Sequence, residues 1–231
     1  MVVIMTEEQL AASTQAPRRP LTLQDMERMR IPVRYRDVAF AYVSEGKHKQ
    51  ALRNYLLALD EMLARGVGLL LNGKNGTGKS SAAIIALKEA RRRGHTGLFI
   101  ECATLRDIKF GNKGFGDEGA LWDRMLAVDV LVLDDLGKGV QDREGAEERL
   151  LDELLRYRGS YRSTTILTTN MSEVPVRRGE ESQLEKYLKP STLHMLKETS
   201  VSIQMVGQDL REGALEDVEE RIFKREKSAK R

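Results

Sequence analysis

Eight residues, Gly73-Lys74-Asn75-Gly76-Thr77-Gly78-Lys79-Ser80, constrain this chain more than anything else in it. They fit G-x-x-x-x-G-K-[ST], a glycine-rich turn that makes chemical sense only where a buried strand hands over to a helix. The flanks meet that demand. Val67–Leu71 is a short apolar run of strand type, and Ser80–Arg93 has a helical pattern ended by Gly94. In that setting the backbone N–H groups of Asn75, Gly76, Thr77 and Gly78 can converge on phosphate, helped by the positive end of the helix dipole. Lys79 can reach the β- and γ-phosphates, Ser80 can hold Mg²⁺, and Ser81 completes the nucleotide-contacting run. The bland alternative is a glycine-rich helix entry with no ligand.

Such a cradle needs an acidic partner at the end of another buried strand, and Val130-Leu131-Val132-Leu133-Asp134-Asp135 supplies it. Asp134 is placed as the Mg²⁺ partner and Asp135 as the group that polarises the attacking water. An acidic pair after a strand is otherwise a helix N-cap. A third strand, Thr164–Thr168, runs through Thr169 into Asn170, whose amide can position water near the γ-phosphate; taken alone it would be a turn residue.

Around these motifs short apolar runs alternate with helical patterns. Residues 51–63 read as a helix stopped by Gly66, Leu98–Cys102 as a strand and Thr104–Lys109 as a short helix. A helix around Trp122, another over Glu144–Arg158 and a last strand over Val201–Val206 follow. Strand–helix alternation implies an α/β fold with a parallel sheet covered on both faces. The first 45 residues are polar and carry three of the five prolines, with helix candidates starting at Thr6 and spanning Thr22–Arg30; they read as an arm. Residues 46–207 form the body. Residues 208–231 form a helix with a basic end.

Composition closes several doors. The single Cys102 excludes a disulfide framework and a cysteine-rich zinc module, and His48, His95 and His194 make no ligand pattern. No run of about 18 apolar residues is present to span a bilayer, and the start lacks the form of a signal peptide, so a cytoplasmic protein is expected. A net charge of +3 on 231 residues implies nothing about nucleic acid by itself.

The three site motifs in this order resemble the AAA+ ATPases. Ile31-Pro32-Val33-Arg34-Tyr35-Arg36, Asp134-Asp135-Leu136-Gly137 and Gly207-Gln208-Asp209-Leu210-Arg211 narrow the resemblance to the helicase loaders of DnaC and DnaI type and the related IstB transposition ATPases, over about residues 30 to 212. The resemblance implies a P-loop NTPase with a five-stranded sheet sandwiched by helices, a very short C-terminal helical lid, ATP and Mg²⁺ as ligands, homo-oligomerisation around ATP, and single-stranded DNA binding. It also implies that Arg211 is the lid arginine sensing the γ-phosphate. Two departures stand out. Asp135 occupies a position usually held by Glu, and Met195-Leu196 falls where the family has an arginine finger followed by Leu. A neighbour's cation would then come from Lys189, Lys197, Arg177, Arg178 or another protein, and slow or partner-dependent hydrolysis is expected.

Lys109-Phe110-Gly111-Asn112-Lys113-Gly114-Phe115 interleaves cations with rings, the composition of a single-strand stacking surface. Lys109, Phe110, Lys113 and Phe115 are the candidate DNA contacts; in the resembling loaders an insertion here touches single-stranded DNA. The alternative is a loop whose rings dock on the body. Arg91-Arg92-Arg93 reads first as a cationic helix end. The leading expectation is an ATP-dependent loader of a replicative helicase acting on single-stranded DNA. Its rivals are an IstB-like helper of a transposase, a P-loop small-molecule kinase and a non-hydrolysing adaptor.

Overall fold

Buried strand residues alternate between two cores, with one change of parity near the end of the third strand. The computed structural model describes residues 19–110, 117–137 and 145–207, and its strands are β1 (Gly68–Asn72), β2 (Gly97–Glu101), β3 (Val130–Leu136), β4 (Thr164–Thr169) and β5 (Ser200–Gln204). Leu69 and Leu71 join one core with Val130, Val132 and Ile166, while Leu70 joins the other with Leu131, Leu133 and Leu167. Strands with two apolar faces need cover on both sides, which a parallel sheet receives from its crossover helices. All four pairings are parallel and the order is β2-β3-β4-β1-β5.

One face is covered by α4 (Lys79–Arg92), whose residues from Ala82 to Ala90 are all buried. A helix buried all round needs material on its outer side as well. That material is the segment before β1. It comprises α1 (Leu23–Arg28), two 3₁₀ turns, α2 (Lys47–Leu57) and α3 (Leu59–Arg65), and it contributes Met29, Ile31, Val43, Leu52 and Tyr55 to the core. Residues 19–45 are therefore seated on the body. Lys88, 4 % exposed, fastens them by donating to the carbonyls of Tyr35, Arg36 and Val38. Burial lowers the Lys88 pKa, a cost offset by three charge-assisted bonds. Asp25 does the same for α1: its carboxylate accepts from the Thr22 N–H and from Arg19 and Arg91.

The other face carries α5 (Leu105–Phe110), α6 (Asp117–Ala127), α7 (Ala146–Ser160), α8 (Gln183–Tyr187) and α9 (Pro190–Thr199). The expected helix over 51–63 is two helices meeting at Ala58. The Leu56 carbonyl, which would accept the next turn's N–H, instead accepts from Arg93 Nη2 at 2.8 Å. Gly66 ends α3 in the left-handed conformation, as the sequence suggests. The candidate helix at Thr6, the glycine-rich run 111–116 and the C-terminal helix 209–231 with its lid lie outside the described residues. Among the described residues no helix is long and apolar enough to cross a membrane.

Candidate nucleotide site

Because β4 lies between β3 and β1, the C-terminal ends of the three strands that carry the sequence motifs are neighbours in space. The turn leaving β1 begins with Gly73 at φ +146°, and a Cβ there would fall 2.3 Å from the Met205 carbonyl oxygen. Met205 N–H in turn donates to the Asn72 carbonyl at 2.7 Å, so the chain after β5 closes against the entry of the turn and leaves room only for glycine. Gly76 and Gly78 take φ +74° and +85°, left-handed values open to them without a Cβ. Thr77 Oγ1 pins the turn by donating to the Lys74 carbonyl at 2.9 Å. The ammonium of Lys79, 5 % exposed, donates to the carbonyls of Gly73 at 3.0 Å and Lys74 at 2.7 Å. A buried cation held inside a ring of backbone is suited to meeting an anion there.

The aspartate pair sits on a β-bulge. Leu133 is opposite Leu167, but Leu136 is opposite Thr169, so β3 has one residue more than β4 in that interval. Leu133 and Leu136, three apart, consequently face the same core, and the change of parity falls on Asp134 and Asp135. Asp135 takes φ +60°. One side chain organises both: Thr168 Oγ1 donates to Asp134 Oδ1 at 2.7 Å and accepts from the Asp135 N–H at 2.9 Å. Asp134 is 1 % exposed and its pKa is raised, first by burial; hydrogen bonds from Thr168 and Ser80 oppose the rise, and Asp135 adds to it. A buried carboxylate bonded to Ser80 has the donor set that a hard cation takes together with phosphate oxygens. Among the described residues no group of three or more His, Cys, Asp or Glu could hold a metal by itself.

Asn170 lies just past the end of β4, and its Oδ1 is buried without a hydrogen-bond partner. An unpaired buried amide oxygen is costly, and it is the kind of group that a bound water or ligand satisfies. Three residues on, Glu173 accepts from Asn72 Nδ2 at 2.9 Å and from Ser202 Oγ, tying the loop after Asn170 to β1 and β5. Neither this brace nor Thr168 is legible in the sequence, since each member is a common residue with a distant partner.

The remaining candidates divide. Lys109 is engaged within the fold, 2.7 Å from Glu153 and with its ammonium 4.1 Å from the Trp122 ring centre, whereas Phe110 is 65 % exposed. Lys113, Phe115 and Arg211 lie outside the described residues. Met195 packs partly against the second core, Lys189 pairs with Glu148 at 3.0 Å and Lys197 with Glu185 at 3.7 Å. Arg177 lies 3.9 Å from Glu180 on an exposed loop that also carries Arg178. Of the arginine triplet, Arg91 serves Asp25, Arg93 serves Asp60 and Glu89, and Arg92 lies 3.6 Å from Glu89.

A family profile described as IstB-like ATP binding protein matches residues 3–175. No curated protein matches by sequence. The chain is similar in structure to the DnaC helicase loader, with a TM-score of 0.62 and 23 % identity over 76 % of this chain and 100 % of that one. It is similar to DnaI at 0.61 and 19 %, over 77 % and 96 % of the two chains. AMPPCP-bound DnaA from Aquifex aeolicus follows at 0.54 and 15 %, over 79 % and 56 %. At these identities the likeness is one of fold, and the fold is that of an AAA+ P-loop NTPase.

Proposed function

The chain belongs to the IstB-like ATP-binding family, and we propose that it is an ATP-dependent loader that brings a replicative helicase to single-stranded DNA as a homo-oligomer. The observation that carries the nucleotide half is the convergence of a buried Lys79, a buried Asp134 bonded to Ser80, and an unpaired Asn170 Oδ1 at three adjacent strand ends. In this reading the N–H groups from Asn75 to Gly78, with Lys79, Ser80 and Ser81, hold the triphosphate. Ser80 and Asp134 would hold Mg²⁺, which when bound neutralises charge on the β- and γ-phosphates. Asp135 accepts the proton of the attacking water and Asn170 Oδ1 orients that water. Arg211 reaches the γ-phosphate from the lid. The Met195 position supplies no cation to a neighbouring copy, so turnover is slow without a partner.

Residues 46–207 are read as the ATPase core, 1–45 as the partner-gripping region and 208–231 as lid and tail. Phe110 and Phe115 stack bases and Lys113 neutralises phosphate, with Lys109 holding the base of that loop. The loader reading draws on the likeness to the DnaC helicase loader along that protein's whole chain. The family profile favours a second reading, an IstB-like helper of a transposase. Pull-down with ATP from the host, beside a Lys79→Ala control, separates them. A helicase captured only with ATP and only by the unmutated chain supports the loader. A transposase captured on the same terms supports the helper, and identical captures with both chains would refute a nucleotide switch.

A further inference from the structure

The segment 28–36 holds four arginines and no acid. It runs along the outer edge of β2, the edge strand of the sheet. The Phe99 N–H donates to the Met29 carbonyl at 2.8 Å, and five residues later Arg34 lies 3.9 Å from Glu101, where β2 ends. Met29 and Ile31 are each 2 % exposed, so the residues between and before them, Arg30 and Arg28, face outward. Arg124 joins them from α6, donating to the Arg28 carbonyl at 2.8 Å. Arg36 turns inward, toward the Ile31 carbonyl and Glu27. Neither Arg28 nor Arg30 has a carboxylate within ion-pair distance among the described residues. Arg34 lies over the Tyr35 ring at 4.7 Å, which presents its guanidinium as a fixed plane at the surface.

Arg30 carries a second observation. It follows α1 with its N–H on the Glu27 carbonyl while the Ile31 N–H bonds the Met26 carbonyl, the bond pattern of a helix ended by a left-handed residue. Its φ is +57°, a conformation that glycine adopts freely and arginine does not. A strained arginine therefore stands at a glycine position, and among the described residues its side chain makes no hydrogen bond or ion pair that would account for it. Strain of this kind points to use elsewhere.

We propose that this arginine strap is a phosphate track for single-stranded nucleic acid. Arg28, Arg30 and Arg34 contact successive backbone phosphates, and the strand continues past Glu101 toward α5 and Phe110. The strap rests on the DNA-binding reading above and adds to it the part of the surface that supplies ionic affinity. Planar guanidiniums suit phosphate oxygens, and such contacts release counterions, so their signature is salt dependence.

The test is binding of a labelled oligothymidylate to the full chain with ATP and Mg²⁺, at salt concentrations from 50 to 200 mM. Arg30→Gly should bind more weakly, with a slope of log K against log[salt] smaller by about 0.7, while its melting temperature is unchanged or raised. Arg28→Ala with Arg30→Gly and Arg34→Ala should reduce the slope by about 2, removing roughly twenty-fold of the salt sensitivity across that range. Phe110→Ala should weaken binding and leave the slope alone. The strap is refuted if the triple variant keeps both the affinity and the slope of the unmutated chain. Absence of any binding by the unmutated chain at 50 mM salt would instead overturn the DNA-binding reading itself.

Discussion

Arg158 is wholly buried, and removing its guanidinium gives the sharpest prediction about the frame that holds the site. Nη1 donates to the carbonyls of Met125 at 2.7 Å and Val128 at 2.8 Å, Nη2 to Thr164 at 2.6 Å, and Nε to Thr165 Oγ1 at 3.0 Å. Longer contacts reach Leu126 and Asp129. One side chain thus closes the C-terminal end of α6 and the starts of β3 and β4. Burial pulls its pKa down to about 10, which still leaves it charged at neutral pH. Arg158→Met keeps most of the volume and deletes every donor. Each orphaned buried carbonyl costs about 1–3 kcal/mol. Release of the guanidinium's own desolvation returns several kcal/mol of that total. The net is a loss of about 3–5 kcal/mol, since at least three carbonyls are orphaned and the returned desolvation offsets only part of their cost. At about 2–4 °C per kcal/mol for a chain of this size, melting should fall by roughly 6–20 °C. Thermal melting followed by circular dichroism, with urea unfolding at unchanged m, measures it. A loss under about 1 kcal/mol would show that these carbonyls find other partners and that Arg158 is not what satisfies them.

Two further outcomes are expected. Asn170→Ala should lower ATP turnover about 100–1000-fold, the scale of one positioned polar group, while nucleotide affinity and melting temperature hold; unchanged turnover in a single-turnover assay removes Asn170 from the site. Asp25 should confer pH-dependent stability, because the Thr22 N–H, then Arg19 and Arg91, hold its carboxyl well below the ordinary 3.8. A depressed folded-state value stabilises above the unfolded pKa and is lost as pH falls through the folded one, so the stability gap between the unmutated chain and Asp25→Asn should be full at pH 7 and shrink below about pH 4. A gap that stays constant down to pH 2 would refute that assignment.

What the sequence conveyed was whatever is contiguous. The cradle from Gly73 to Ser80, the strand alternation and the short helix after Thr22 are local patterns, and each lies where its spacing places it. Helices α8 and α9 had local signals too, the Ser182–Glu185 capping box and Pro190 at a first helical turn, but both sit in a polar stretch with weak periodicity. The break at Ala58 was not legible, because the group that takes up the freed Leu56 carbonyl is Arg93, far along the chain. The same holds for Arg158, Lys88 and the Asn72–Glu173–Ser202 brace: each is a long-range polar contact between ordinary residue types. The arginines at 28–36 were visible as letters, but only the pairing of Met29 with β2 shows which of them face outward.

The bulge supplies a physical reason for the one departure inside the aspartate pair. By sequence alone, Asp135 looks like a shortened glutamate with a poorer reach. Its backbone, however, is left-handed, a region where aspartate is several-fold enriched and longer side chains are disfavoured. That conformation follows from the extra residue in β3, which also brings the Asp135 N–H onto Thr168 Oγ1. The hydroxyl accepts there through a lone pair while its proton goes to Asp134. Both carboxylates are therefore positioned through one threonine. Reach is then the wrong measure of this residue: its shortness fits the backbone that couples it to its neighbour.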